Sequence, residues 1–130
     1  MAETPPVPTT RRLVEGYGPG RFRISGTIYE RPVIVLLDAV LDWPIAAISE
    51  LSADSLSAVA AAEPRIEILI IGCGARMAFI RPDLRQALRA AGLVVDAMDT
   101  GAACRTYNVL LAEDRRVAAA LFPLPPEDRG

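Results

Sequence analysis

The sequence predicts an α/β fold: a compact single domain in which helices flank a mixed β-sheet, with a β-hairpin near the N-terminus. The first observation is the length of 130 residues, which suits one ordinary domain. The second is the composition, in which 52% hydrophobic and 23% charged residues favour a buried core over a disordered chain. The third is the alternation of helical and strand patterns from residue 53 to residue 122.

Prolines near both ends predict the domain boundaries. Residues 1–12 contain a cluster of three prolines and are expected to form a flexible N-terminal tail. Residues 123–130 have a similar composition and are expected to form a flexible C-terminal tail. The folded domain is therefore expected over residues 13–122.

The N-terminal hairpin is predicted from two apolar segments. Residues 22–29 alternate between apolar and polar side chains and indicate one strand with an irregularity at Gly26. The apolar run 33–37 indicates a second strand, and a hairpin is the simplest way to join the two. Because Pro44 cannot continue a helix, residues 45–48 are expected to form a short strand or an extended edge segment.

The alternating series begins with a helix and a buried strand. Leu56 and Val59 have helical spacing and predict a helix over 53–62. Ile66 and the apolar run from Ile68 to Ile71 are typical of a strand that is buried on both faces, so we expect this segment to be the central strand of the sheet. Residues 77–80 are expected to be briefly extended.

Four further elements follow, each bounded by a capping or breaking residue. They are a helix from Pro82 to Gly92, a second buried strand over 93–98, a helix capped by Asp99 or Thr100 that runs to about residue 113, and a final strand over 117–122.

The composition excludes several kinds of catalytic site. The chain has no histidine and no lysine, and all 14 of its basic residues are arginines. Ser-His-Asp and Cys-His catalysis, Schiff-base chemistry, the phosphate-binding lysine of a Walker loop and histidine-ligated metals all require side chains that this protein lacks. We therefore expect no catalytic residues, no metal and no cofactor.

The charge and the apolar runs limit the partners. With a net charge of -2, the chain lacks the positive electrostatic potential that attracts nucleic acid, so a protein partner is favoured. The apolar runs are too short for a transmembrane segment, although peripheral membrane contact stays compatible with the sequence. The first residues lack the pattern of a secretory signal, so a bacterial cytoplasmic location is expected, with free thiols rather than a disulfide.

Ligands of open α/β sheets collect at the carboxyl ends of parallel strands, and several polar or small residues are predicted there. The candidate ligand or partner pocket consists of Gly72, Cys73, Gly74, Asp99, Thr100, Cys104 and Arg105. The glycine turn lacks the third glycine of a dinucleotide fingerprint and is more typical of a structural turn. Cys104 is expected in the first turn of its helix, where a thiol pKa can fall, but no base is available, so an inert thiol is favoured. Arg105 could hold a carboxylate or phosphate, pair with Asp99, or cap local carbonyls.

Three arginines recur every four residues on the Pro82 helix. Arg81, Arg85 and Arg89 are expected on one exposed side, without an acidic partner on the same helix, while Leu84, Leu88 and Ala91 face the core. This arginine strip is either a solvated face or a docking strip for an acidic protein surface or for membrane headgroups.

One long segment carries a family resemblance. Residues 98–121, MDTGAACRTYNVLLAEDRRVAAAL, together with the segments from Tyr29 onward, 68–74 and 92–96, resemble the small-domain family that includes mitochondrial complex I assembly factor 3 and uncharacterised bacterial and archaeal proteins. The resemblance covers about residues 13–122. It implies a compact α/β fold around a mixed sheet, no agreed catalytic residues, and a mitochondrial member that helps to assemble NADH:ubiquinone oxidoreductase.

Two functional hypotheses follow from these observations. The first is a noncatalytic assembly or scaffolding factor that binds another protein, with a link to respiratory complex I assembly implied by the resemblance. The second is a small-molecule-binding or redox-responsive enzyme that uses Cys104 or Arg105.

Overall fold

This computed structural model describes residues 12–125. The N-terminal part of these residues forms a three-stranded antiparallel sheet. Its strands are β1 (Val14–Gly18), β2 (Arg21–Ile24) and β3 (Thr27–Tyr29). Ser25 and Gly26 join β2 to β3 and both have positive φ angles, of 48° and 86°, as tight hairpin turns require. The predicted irregularity at Gly26 is therefore a turn, and residues 22–29 form two strands instead of one.

A mixed five-stranded sheet forms the centre of the domain, in the order β5-β4-β8-β6-β7, and confirms the predicted fold class. In it β4 is antiparallel to β5 and β8, whereas β6 is parallel to β7 and β8. The strands are β4 (Val33–Val35), β5 (Val40–Asp42), β6 (Ile68–Cys73), β7 (Val94–Met98) and β8 (Val117–Phe122).

Two predictions about strand positions were wrong. The middle strand is β8, whose six residues are all buried, and β6 lies beside it. The strand expected to be buried at 93–98 is the edge strand β7, in which Val95 and Ala97 are buried while Val94 is 55% exposed. Only one face of β7 is covered, because α2 (Pro82–Ala90) packs on that side.

The segment between β5 and β6 also differs from prediction. Residues 45–48 form no strand; a 3₁₀ turn at Ile48–Glu50 follows instead, because the Glu50 carboxylate accepts hydrogen bonds from the backbone amides of Ala46 and Ala47, at 2.8 and 2.9 Å. The helix predicted over 53–62 is shorter, with a 3₁₀ turn at Asp54–Leu56 that leads into α1 (Ser57–Ala60).

The core joins this segment to the middle of the sheet. Trp43 is 2% exposed and its ring centroid lies 4.8 Å from that of Phe122 in β8. The indole N–H donates a hydrogen bond of 2.9 Å to the carbonyl of Ser55. Trp43 thus attaches the irregular segment to the sheet by packing and by a hydrogen bond.

The helix α3 (Thr100–Ala112) packs on β6 and β8 and holds the N-terminal sheet. The side chain of Asn108 accepts a 3.0 Å hydrogen bond from the amide of Val14 and donates one of 2.6 Å to its carbonyl. The hydroxyl of Tyr107, which is buried, donates to the carbonyl of Arg12 at 2.6 Å. These polar contacts fix the position of β1 against α3.

The two predicted tails lie largely outside the described residues, and their flexibility stays a prediction. At the C-terminal side, Leu124 forms a parallel bridge with Pro19 and its carbonyl accepts a 2.9 Å hydrogen bond from Gly20. Within residues 12–125, the helices are all too short or too polar to cross a lipid bilayer.

Candidate functional site

The carboxyl ends of the three parallel strands meet at Thr100. Its hydroxyl accepts a hydrogen bond from the amide of Gly74 at 2.8 Å and donates one to the carbonyl of Phe122 at 2.5 Å. Its own amide donates to the carbonyl of Gly74 at 2.8 Å. Because Thr100 is fully buried, these bonds tie the ends of β6 and β8 to the start of α3.

Asp99 is the N-cap residue of α3 and is one of the two residues that the sequence predicted for this position. Its carboxylate accepts a hydrogen bond of 3.3 Å from the amide of Ala102, and its backbone is extended, which is the usual geometry of an N-cap. A carboxylate in this position also interacts favourably with the positive end of the helix dipole.

The two positions that flank Cys73 require glycine for different reasons. A Cβ atom on Gly72 would lie 2.8 Å from Cδ2 of Leu121 and 3.1 Å from the Thr100 hydroxyl, so Gly72 allows α3 to approach the sheet closely. Gly74 has a φ of 88°, which favours glycine at the turn that leaves β6. Both positions are explained by packing and turn geometry.

Cys104 is buried in the second turn of α3 rather than in the predicted first turn. Burial raises the pKa of its thiol to about 12, with a smaller lowering by Arg105. Burial also raises the pKa of Cys73, which is half-buried, although hydrogen bonds from the backbone of Ala78 and Met98 act in the opposite direction. Both thiols are free and protonated at neutral pH.

We expect maleimide at pH 7 to modify Cys73 first and Cys104 only on the timescale of unfolding, because Cys104 is 1% exposed. Mass spectrometry of the native protein over time measures both rates, and a Cys73→Ser variant isolates the rate of Cys104. Labelling of native Cys104 as fast as that of an exposed thiol would contradict this prediction.

The raised pKa of Cys104 also predicts how stability depends on pH. Since the folded pKa is raised from 9.0 to about 12, the contribution of this thiol to the free energy of unfolding should be fully present below pH 9 and decline as the pH rises through that interval.

Arg105 lies away from the strand ends, on the side of α3 that faces the N-terminal sheet. Its guanidinium donates a hydrogen bond to the hydroxyl of Tyr17 in β1. A side chain on Gly101 would lie 3.0 Å from that hydroxyl, so the tyrosine rests directly on the helix. The contact that the structure shows for Arg105, with Tyr17, was not among the roles considered from the sequence.

A groove of about 650 Å³ lies at the same end of the sheet, and it was not recognised in the sequence. Cys73 and Gly74 form part of its wall, and Arg21 and Glu30 are the charged side chains along it. Its walls are otherwise apolar and come from distant parts of the chain. The remaining lining residues are Pro19, Gly20, Pro32, Ala46, Ala47, Ile48, Ala75, Phe122, Pro123, Leu124 and Pro125. Four of these residues are prolines, in three separate segments of the chain, and they are the only feature of the sequence that could have indicated the groove.

The arginine strip is exposed on α2, but its members differ in their contacts. Nε of Arg81 lies 3.5 Å from a carboxylate oxygen of Asp83, which corrects the expectation of no acidic partner on this helix. The guanidinium of Arg85 donates a 2.6 Å hydrogen bond to the carbonyl of Val95 in β7. Ala91, expected in the core, is exposed. Arg89 is exposed in the last turn of the helix.

No three histidine, cysteine, aspartate or glutamate side chains in residues 12–125 are close enough together to hold a metal ion. The strand ends are held by a fully hydrogen-bonded threonine, a capping aspartate and two sterically required glycines. Together these observations define a small α/β domain with a mixed sheet, in which Thr100, Asp99 and the two glycines support the fold and a groove lies at the same end of the sheet.

The chain belongs to the family described as protein of unknown function (DUF498/DUF598), whose family model matches residues 14–122. It is 38% identical over 117 residues to NADH dehydrogenase [ubiquinone] 1 alpha subcomplex assembly factor 3 from Danio rerio, a match that covers 90% of this chain and 67% of that protein. The chain thus spans about two thirds of the length of that relative. The family resemblance found in the sequence is confirmed.

Bacterial proteins show the same similarity. An uncharacterised protein from Rhodobacter capsulatus is 38% identical over 112 residues, covering 86% of this chain and 85% of that protein. A crystal structure from Bordetella parapertussis has a TM-score of 0.82 at 34% identity and covers 89% of this chain and 98% of that chain. The fold is therefore shared along almost the whole length of the bacterial relatives.

Proposed function

We propose that this chain is a noncatalytic assembly factor that binds another protein during the assembly of respiratory complex I, and that it does so in the bacterial cytoplasm. The observation that carries the proposal is the 38% identity, over 90% of the chain, to a relative that is named as a complex I assembly factor. The match includes the strand ends, α3 and the sheet, so it concerns the whole domain.

The chemistry of the strand ends supports a noncatalytic role. The Thr100 hydroxyl uses both its donor and an acceptor position within the fold, and the raised pKa of Cys104 keeps that thiol protonated at neutral pH. A nucleophile needs an adjacent base or a lowered pKa; for Cys104, burial outweighs the pKa-lowering effect of Arg105, and the chain has no histidine to act as a base and no lysine for Schiff-base chemistry. Protein binding uses surface shape and charge and needs none of these groups.

An affinity-tagged form of the chain tests the proposal. The tagged protein is incubated with a native lysate of the organism that encodes it, and bound proteins are identified by quantitative mass spectrometry. We expect complex I subunits to be enriched in a stoichiometric amount over a tag-only control. Recovery of other proteins without any complex I subunit would contradict the proposal.

The groove favours a second candidate function, the binding of a small molecule. Its volume of about 650 Å³ is within the usual range of ligand sites, and Cys73, Arg21 and Glu30 are among its lining residues. A ligand that binds only the folded chain must raise its melting temperature. A metabolite that does so, together with failure to recover a protein partner, would favour this alternative.

Charge reversal in the arginine strip should slow partner binding. The variant Arg81→Glu/Arg89→Glu leaves the contact of Arg85 with Val95 in place. We therefore expect each of the two exposed substitutions to change the free energy of unfolding by no more than about 0.5 kcal/mol. We expect the association rate with the recovered complex I subunit to fall severalfold at low salt and the difference to shrink at high salt.

Biolayer interferometry at two salt concentrations measures these rates. The matched control is Arg23→Glu/Arg115→Glu, which makes the same change in net charge at exposed positions outside α2. Equal association rates for the two double variants would show that the strip is only a solvated face.

A further inference from the structure

The loop between β6 and α2 carries an exposed apolar pair. Among the large apolar side chains of residues 12–125, Phe79 is the most exposed, at 82%, and Met77 follows at 68%. Ala78 is half-buried and Ile80 is buried, so exposure alternates along this segment. Met77 and Phe79 are thus two large exposed apolar side chains separated by a single residue.

The exposed pair is unfavourable for an isolated soluble domain. Each side chain keeps most of its apolar surface in water, although burying such a side chain fully is worth about 1.5–3 kcal/mol. Single exposed apolar residues are ordinary, but adjacent large ones mark contact surfaces. Phenylalanine, methionine and arginine are also enriched at the centres of protein interfaces.

Positive charge surrounds this pair. Between residues 76 and 89 the sequence has four arginines and one aspartate, a local charge of +3, whereas the whole chain has a net charge of -2. Arg76 and Arg81 flank the pair, and both are exposed. The aspartate in this stretch, Asp83, lies 3.5 Å from Arg81. A surface of this kind is complementary to an apolar pocket that is bordered by carboxylates.

Enclosure of the apolar pair, rather than charge, favours a protein partner over a lipid bilayer. The local positive charges would attract an anionic membrane as well as a carboxylate-bordered pocket, at about 1 kcal/mol for each charge near the membrane. A protein pocket can enclose both side chains and remove them completely from water, which is the usual environment of interface anchors.

We infer that Met77 and Phe79 are the anchor residues of a docking surface for an apolar, carboxylate-bordered pocket on a partner protein. The inference deepens the proposed function and rests on it, since it identifies the surface by which the assembly factor holds its partner. The arginines orient the encounter, and the two apolar side chains determine how long the complex persists.

Photo-crosslinking from the surface tests the inference directly. Phe79 is replaced by the photoreactive residue p-benzoylphenylalanine in the full chain, in the cells that normally make it. The matched control places the same residue at Val109, which is 56% exposed on α3. We expect position 79 to yield a crosslinked protein that position 109 does not, and peptide mapping to place the crosslink among apolar residues flanked by at least two carboxylates.

Affinity measurements provide a second readout. The variant Met77→Ala/Phe79→Ala should bind the crosslinked protein about tenfold or more weakly, the loss typical of interface anchors. The variant Val94→Ala/Val109→Ala removes exposed apolar side chains elsewhere and should bind like the unmodified chain. Both variants should keep the far-UV circular dichroism of the folded protein, because all four positions are exposed.

The outcomes separate this inference from the proposed function. Crosslinks only to lipid, only to a second copy of this chain, or to nothing would overturn the docking surface, even if complex I subunits still copurify with the tagged chain. A mapped crosslink to a carboxylate-bordered pocket on a protein outside complex I would support the surface and overturn the complex I assignment. Unchanged affinity of the Met77→Ala/Phe79→Ala variant would also overturn the surface.

Discussion

Replacing Trp43 with alanine should lower the free energy of unfolding by about 3–5 kcal/mol, as is usual when a fully packed aromatic side chain is deleted. The side chain is 2% exposed, lies against Phe122 in the middle strand, and donates to the carbonyl of Ser55. The variant loses the packing and leaves that carbonyl with one bond fewer. Urea denaturation followed by far-UV circular dichroism measures the change, since Trp43 is the only tryptophan in the chain.

A Trp43→Phe variant separates the two contributions. It keeps an aromatic ring near Phe122 but cannot donate to Ser55, so its loss of stability should fall between those of the alanine variant and the unmodified protein. If Trp43→Ala lowered the unfolding free energy by less than about 1 kcal/mol, the packing of the irregular segment on the sheet would be much weaker than the structure indicates.

Replacing Thr100 with valine should destabilise the protein by about 2–6 kcal/mol. Valine has nearly the same shape but lacks the hydroxyl, so the buried amide of Gly74 and carbonyl of Phe122 each lose a partner, at roughly 1–3 kcal/mol for each unsatisfied group. Hydrogen exchange at the Gly74 amide should accelerate more than exchange in β7, since the opening begins at the joined strand ends.

The control for this prediction is Thr100→Ser, which retains the hydroxyl and removes one methyl group. It should cost about 1 kcal/mol, and its Gly74 amide should stay protected. If the valine and serine variants had equal stability, the hydroxyl would not be what ties the strand ends together.

Elements with strong local signals were predictable from the sequence. The helix that begins at Pro82, the cap at Asp99 and the strand over 117–122 each follow from residues a few positions apart, and all three are present. The order of the strands was not predictable in this way. Residues 66–71 and 117–122 are both strongly apolar, so burial alone does not tell which of the two is in the middle. That position belongs to β8, which pairs with β4 on one side and β6 on the other and packs against α3.

The candidate site was predictable in position more than in role. The sequence placed Gly74, Asp99 and Thr100 at the carboxyl ends of the parallel strands, where the structure has them, but it also placed Arg105 there, which is wrong. The roles of Thr100 and Arg105 depend on Phe122 and Tyr17, which lie far away along the chain. The exposure of Phe79 is also a tertiary property, because an apolar residue in a short extended segment is ordinarily expected to be covered. No local pattern distinguishes a covered phenylalanine from one left open for a partner.

The central position of β8 has a consequence for biosynthesis. Residues 117–122 are made after every other strand in residues 12–125, yet they bridge the β4–β5 hairpin and the β6–β7 pair, with Ile34 opposite Ala120. Until they leave the ribosome, the two halves of the sheet present unpaired edges and have no common core. The sheet is therefore expected to complete its folding only once residue 122 has left the ribosome, with a high contact order and correspondingly slow kinetics. The nascent chain should need protection from aggregation until that strand inserts.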